Sequence, residues 1–349
     1  MFDLNALMRP NIRALKPYSS ARSEFAGTAE VFLDANENAF GSPAGDGMNR
    51  YPDPLQTALK LHLAEMLEVL PEQIFVGNGS DEAIDLLMRI FCVPGKDEII
   101  ICPPTYGMYR VSADINDVTV KEVALTRKFQ LDVAAILRAV TERTKLIFVC
   151  SPNNPTGNTM ERNAIIEIAT NFDGLVVVDE AYIHFADADS MVNELNRLPN
   201  LVVLQTFSKA WGMAGIRVGL AIASRELVGS MNKVKPPYNV SGIAQQIALE
   251  ALNRRDLIDD WTAAAIRGRT KMADTLSGFT FVEEIFPSDA NFLLIRMTDA
   301  EAIYHYLVEQ KVVVRDRSKV ELCEGCLRIT IGTPEENELL LAALKEFEI

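Results

Sequence analysis

Residues 198–224 read L-P-N-L-V-V-L-Q-T-F-S-K-A-W-G-M-A-G-I-R-V-G-L-A-I-A-S, and only two of these 27 positions are charged, Lys209 and Arg217. The run L-V-V-L-Q-T-F at 201–207 is apolar on both faces, as the buried strands of parallel sheets are. A second such run, 217–223, follows a glycine-containing turn. Lys209 therefore leaves the carboxyl end of a buried strand, where open α/β sheets place their ligands. Further runs of the same kind lie at 74–77, 98–102, 118–123, 145–150 and 175–179. Between them apolar residues recur at helical spacing: Leu55, Leu59, Leu63 and Met66; Ile84, Leu87, Met88 and Phe91; Ile165, Ile166 and Ala169. This alternation predicts one large α/β domain, 31–240, with a mostly parallel central sheet flanked by helices.

Beyond residue 240 the texture changes to longer helical segments, 243–252 and 262–276, followed by short strands at 291–296, 312–315 and 326–331. That pattern predicts a smaller C-terminal α+β domain, 241–349. Residues 1–30 show no clear period, and their scattered apolar side chains suit an arm packed on another domain or subunit. The 349 residues are 48% hydrophobic and 23% charged, a globular composition, and the formal charge is −14. Such a charge repels phosphate backbones and anionic lipid, so no nucleic acid and no membrane is expected as partner. The first residues lack the apolar core of a secretory signal. Five cysteines, at 92, 102, 150, 323 and 326, are too few and too unevenly placed for a disulfide framework, so a cytoplasmic location is expected.

Four segments carry chemistry. Deprived of solvation, Lys209 loses proton affinity and becomes a Schiff-base nucleophile, whereas an ordinary lysine extends its ammonium to water. The strand L-V-V-V-D-E-A-Y at 175–182 stops at Asp179, which is either a helix N-cap or a carboxylate that keeps a pyridine nitrogen protonated, with Tyr182 in reach of the adjoining phenolic oxygen. In S-P-N-N-P-T-G at 151–157 two prolines and a glycine fix a turn, and Asn153 and Asn154 are turn formers or ligand-facing amides. In I-F-V-G-N-G-S-D-E at 74–82, Gly77 and Gly79 lead from a strand into a helix starting near Asp81; Ser80 is an N-cap or part of an anion cradle. Cys323 and Cys326 form C-E-G-C, but two thiols with His62, His184 and His305 distant in sequence do not make a zinc site, and no metal is expected. His184 reads as a supporting or surface residue.

The set Ser80, Asn154, Asp179 and Lys209 along one α/β unit resembles the fold type I pyridoxal-phosphate enzymes, specifically the class II aminotransferases. With L-K-P-Y, L-D-A-N-E-N-A-F-G, N-R-Y-P-D-P and L-R-I-T-I-G-T, the resemblance is to histidinol-phosphate aminotransferases over essentially the whole chain. It implies pyridoxal 5′-phosphate as cofactor, Lys209 as its covalent attachment, Asp179 on the pyridine nitrogen, and Tyr182 and Asn154 on the phenolic oxygen. Tyr106 would stack on the ring, unless it is a satisfied core tyrosine. Gly79, Ser80, Asp81, Thr206, Ser208 and Arg217 would hold the phosphate, joined by Tyr51 reaching into the neighbouring subunit's site of a homodimer. Substrate contacts fall to Arg328, Arg315, Tyr18 and Asn36. A guanidinium in the apolar strand around Arg328 calls for an anion or a structural salt bridge. At Arg315, the adjacent Asp316 and Arg317 suggest an exposed segment.

The implied reaction is amino transfer from histidinol phosphate to 2-oxoglutarate, giving glutamate, with both substrates sharing one cationic pocket. An aromatic or broad-specificity aminotransferase and a threonine-phosphate decarboxylase share Lys209 and Asp179 and remain alternatives. A cofactor-binding regulatory module is the alternative of another class, opposed by the acidic charge and the lack of a basic helix-turn-helix segment.

Overall fold

The computed structural model describes residues 2–18, 30–45 and 47–348. Seven strands build the large sheet: β1 (Ile74–Asn78), β2 (Glu98–Ile101), β3 (Thr119–Glu122), β4 (Thr144–Cys150), β5 (Leu175–Asp179), β6 (Leu201–Thr206) and β7 (Val218–Ile222). Their order is β1-β7-β6-β5-β4-β2-β3, and only β7 runs antiparallel to its neighbours. Each expected strand of the large domain is present. Alternation sends Ile74, Val76, Ile147, Val149, Val176, Val178, Leu201 and Val203 to one apolar cluster. It sends Phe75, Leu146, Phe148, Leu175, Val177, Val202 and Leu204 to another. Helices therefore cover both faces, with Ser80–Phe91 and Arg225–Val234 on the second and Thr57–Leu67 and Arg162–Thr170 on the first. Val176, Val177 and Val178 are wholly buried, each contributing about 1.5–3 kcal/mol through removal of apolar surface from water. A one-residue slip of β5 would exchange its two faces. Register thus fixes Asp179 beside Cys150 on β4 and Leu204 on β6.

Four antiparallel strands form the small sheet: β8 (Val282–Ile285), β9 (Phe292–Met297), β10 (Arg315–Asp316) and β11 (Cys326–Thr330), in the order β10-β11-β9-β8. Leu293, Ile295, Met297, Leu327 and Ile329 face a core closed by Arg255–Leu276, Ala300–Glu309 and Pro334–Glu348. Phe292, Leu294 and Cys326 face the other way and join the large sheet's core. Arg328, in phase with Cys326, consequently points toward the large sheet.

The structure corrects the sequence reading in three places. The strand expected at 312–315 shrinks to β10: Val312 and Val314 pack against the small core while Val313 stays 78% exposed. An unforeseen edge strand, β8, carries Glu283 and Glu284 outward. Helix Gly242–Leu252 was expected in the C-terminal domain, yet Ala244 and Ala248, with Ile258 beyond them, join the large sheet's cluster, whereas the small sheet's own cluster starts at Met272. Loss of strands marked the change of texture; the division of the cores lies farther along.

Of the N-terminal arm, Met1 and residues 19–29 lie outside the described residues. Short helices at Leu4–Leu7 and Pro10–Ala14 pack on the large unit of the same chain, where Met8 is buried and Arg9 N–H donates to the Ile90 carbonyl at 3.0 Å.

Candidate active site

Because β7 alone runs backwards, its first residues meet the carboxyl ends of β1 and β6: Val218 pairs with Asn78 and Gly219 with Thr206. The parallel strands β4 and β5 end at the same edge. The side chains leaving these ends surround a cavity of about 760 Å³. Of the expected residues, Ser80, Asp81, Tyr106, Asn154, Asp179, Tyr182, Thr206, Ser208, Lys209, Arg217, Arg315 and Arg328 line it together.

At its floor the Asp179 carboxyl is 3% exposed. Tyr109 Oη donates to its Oδ2 at 2.8 Å and the Ala181 N–H to its Oδ1 at 3.1 Å. Burial pushes this carboxyl up to about 6, against the stabilising pull of those donors. An acid this poorly hydrated is relieved by a cation in the cavity. Lys209 faces it from the end of β6, and burial together with Arg328 lowers its proton affinity, opposed by Asp179. The Lys209 ammonium also lies 5.5 Å from the Tyr182 ring centre. Tyr182 is itself buried, its phenol pushed up by burial first. Asn154 Nδ2 donates to the Tyr182 hydroxyl at 3.5 Å, and Asn154 Oδ1 accepts from Arg328. Asn153, by contrast, is a structural turn former, buried and donating to Pro104 O and Thr156 Oγ1.

A second cluster lies where β1 turns into Ser80–Phe91. Gly79 sits at a φ of +75°, and a Cβ there would meet the Arg217 guanidinium at 2.7 Å. On β7, a Cβ at Gly219 would meet Ser80 N at 2.1 Å, so bare backbone lets the helix start press on the sheet. Arg217 reaches Ser208 Oγ at 3.3 Å and Asp81 Oδ2 at 3.5 Å. Tyr106 Oη donates to Asp81 Oδ1 at 3.2 Å, and its ring meets Tyr109 edge-on at 5.5 Å. A twelve-residue helix N-terminus, two hydroxyls at Ser80 and Ser208, and an arginine form a cradle for a dianion.

Arg315 and Arg328 face each other across the β10–β11 ladder, and the Arg328 guanidinium stacks 5.2 Å from the Phe292 ring centre. Two residues escaped the sequence reading. Tyr109 lies one helical turn beyond Tyr106, a spacing that could have flagged it. Arg317 also lines the cavity, although Arg315 is exposed as expected; its spacing of two from Arg315 was the available signal.

Three expected residues are not brought to this cavity by a single chain. Tyr18 is 77% exposed, Asn36 occupies a left-handed turn at a φ of 54°, and Tyr51 is 51% exposed. Tyr51 stacks on Tyr238 of its own chain at 4.5 Å. Lys235 holds that platform, donating to the carbonyls of Pro54 and Pro237 at 2.8 Å each. His184 packs edge-on against Trp211, and Cys323 and Cys326 are buried free thiols. Among the described residues no group of three His, Cys, Asp or Glu is arranged to hold a metal, and no helix is long and apolar enough to cross a membrane.

Residues 22–344 match the family described as aminotransferase class I and II. The chain is 54% identical to the histidinol-phosphate aminotransferase of Cytophaga hutchinsonii over 99% of both chains, and 51% identical to that of Parabacteroides distasonis over the full length of each. Its fold superposes with a TM-score of 0.79 on the crystal structure of histidinol-phosphate aminotransferase from Sinorhizobium meliloti in complex with pyridoxal 5′-phosphate, at 26% identity and 89% coverage of each chain.

Proposed function

The chain belongs to the class I and II aminotransferases, and from that premise we propose that it moves the amino group of L-histidinol phosphate to 2-oxoglutarate, giving imidazole-acetol phosphate and glutamate in histidine biosynthesis. It is a fold type I enzyme that works with pyridoxal 5′-phosphate. One observation carries this reading: a lysine of lowered proton affinity and a buried carboxyl of raised pKa line the same cavity, beside a cradle that a Cβ at Gly79 would fill. Those residues fit the cofactor. Asp179 would hold the pyridine nitrogen protonated, Tyr182 and Asn154 the phenolic oxygen, and Ser80, Ser208 and Arg217 the phosphate, with Tyr106 against the ring. Pyridoxal 5′-phosphate supplies an aldehyde that takes up amines and a cationic ring that accepts charge from the adjoining carbon.

The protein's own residues do the rest. Lys209 Nζ removes a proton from the amine-bearing carbon of the donor and, once protonated, returns it as the acid on the other side of the transfer. Its lowered proton affinity favours the free amine that the first task requires. Asp179 stays ionised above pH 6 and fixes a positive charge across the cavity from the base. Arg315 and Arg328 would bind the phosphate of one substrate and the carboxylates of the other, which is how one site serves two anions of different shape.

The active unit is read as a cytoplasmic homodimer in which Tyr51 serves the partner's cofactor phosphate. Its support is that Tyr51, stacked on Tyr238 and half exposed, is not among the residues lining its own chain's cavity. The test of the reaction is spectroscopic. Histidinol phosphate should discharge the visible band of the bound cofactor, 2-oxoglutarate should restore it, and borohydride should leave the cofactor attached to Lys209. An unchanged band with histidinol phosphate, together with CO2 release from threonine phosphate, would select the decarboxylase instead.

A further inference from the structure

Like charges placed directly opposite on neighbouring antiparallel strands destabilise the pair. Yet Arg315 stands opposite Arg328, and the ladder continues by an Arg317 N–H donated to the Cys326 carbonyl at 2.9 Å. Residues two apart on an extended segment share a face, so Arg317 joins Arg315 and Arg328, and all three line the cavity. Among the described residues none of the three forms a salt bridge with a carboxylate. The Nε atoms of Arg317 and Arg328 are buried without a hydrogen-bond acceptor among those residues. Among the described residues the cavity is lined by five cations, Lys209, Arg217, Arg315, Arg317 and Arg328, against the carboxyls of Asp81 and Asp179. Burial, then Arg328 and Arg315, lower the proton affinity of Arg317, which records how closely the three guanidinium groups share one space. A half-buried guanidinium whose Nε finds no acceptor gains from an anion that arrives to pair with it.

We infer that Arg317 is a specificity-determining residue: a third guanidinium that contacts the phosphate of the amino donor and discriminates it from the carboxylate of the alternative substrate. A phosphate dianion has three acceptor oxygens and can engage three forks, whereas a carboxylate has two and is saturated by one or two. Arg328, tied to Asn154, is shared by both substrates. Arg317, with no side-chain hydrogen bond or salt bridge among the described residues, adds binding only where a third oxygen exists. The inference rests on the proposed phosphate-bearing donor.

Arg317→Gln removes the charge and keeps a polar side chain of similar reach. Both half-reactions are followed on the holoenzyme through its cofactor band, whose presence also reports that the variant is folded. The expected result is a loss of about 10- to 100-fold in kcat/KM for histidinol phosphate, carried by KM, with less than about a 3-fold change for glutamate. Arg317→Lys should recover part of that loss, since it keeps the charge and loses the fork. Equal losses for both substrates, or none, would overturn the inference. Inorganic phosphate separates this from failure of the proposed reaction. If the native enzyme ignores histidinol phosphate, the donor assignment fails, but phosphate should still inhibit the glutamate half-reaction and should do so about 10-fold more weakly in Arg317→Gln; equal inhibition would sink the role of Arg317 itself.

Discussion

Replacing Tyr109 by Phe removes one hydroxyl from the most enclosed part of the site and little else. The ring still stacks on Phe148 at 4.8 Å, and Asp179 keeps the Ala181 N–H on its other oxygen. A hydrogen bond to a charged group is worth about 1.5–3 kcal/mol, and one pKa unit corresponds to about 1.4 kcal/mol. Losing this donor should therefore raise the Asp179 carboxyl from its value of about 6 by roughly one to two units. At pH 7 the native carboxyl is about nine-tenths ionised in the cofactor-free protein; in Tyr109→Phe that falls to between roughly a tenth and a half. Only the carboxylate pairs with a protonated pyridine, so the variant should bind pyridoxal 5′-phosphate about 2- to 10-fold more weakly at pH 7 and approach native affinity by pH 9. Titrating the cofactor-free proteins across that range and plotting the ratio of affinities is the assay. A ratio that does not change with pH would refute the electrostatic role given to Tyr109 and leave only a packing role.

Two further outcomes can be checked. Glu98 is wholly buried at the start of β2, accepts from the Thr144 hydroxyl at 2.8 Å, and is bridged by Lys121 at 2.7 Å and Arg143 at 3.2 Å. Glu98→Gln removes the charge that these partly exposed cations pair with and should cost about 1 kcal/mol in chemical unfolding at pH 7. These partners hold its carboxyl below the usual value, so its contribution is present above about pH 4.5 and lost as pH falls through the lowered value; the gap between variant and native should close there. Asp179 has the opposite sign in the cofactor-free protein, favouring folding when protonated and ceasing to do so as pH rises through about 6. Secondly, Lys209→Ala and Tyr51→Ala proteins, each inactive alone, should recover roughly a quarter of native activity when their subunits are reassorted in equal amounts, because one site in every mixed dimer is intact. No recovery would place Tyr51 in its own subunit's site, and a Tyr51→Ala protein active by itself would place it in none.

What the sequence revealed follows from where the chemistry sits. Lys209, Asn154 and Ser80 occupy the first turns after buried strands and Asp179 ends one, and a strand apolar on both faces announces its own end. Tyr109 gave no such sign because its meaning depends on the phase of helix Met108–Ile115 against β5, a relation between distant segments. Arg317 was passed over for a different reason: Asp316, adjacent in sequence, points to the other face of an extended strand and makes the stretch look like a solvated charge run, which at Arg315 it is. Strand β8 was hidden by Glu283 and Glu284, which an edge strand tolerates and a central one does not. Tyr18 and Asn36 came from resemblance alone, and one chain does not carry them to the cavity.

Arg328 belongs to the small sheet, and its side chain donates to Asn154 of the large unit. Any anion seated between Arg328 and the wall built by β4 to β6 would act as a rivet through the two sheets. Saturation with such an anion should accordingly make the sheets melt together and shield the backbone linking them from proteases, so that substrate occupancy would be readable as mechanical cohesion as well as turnover.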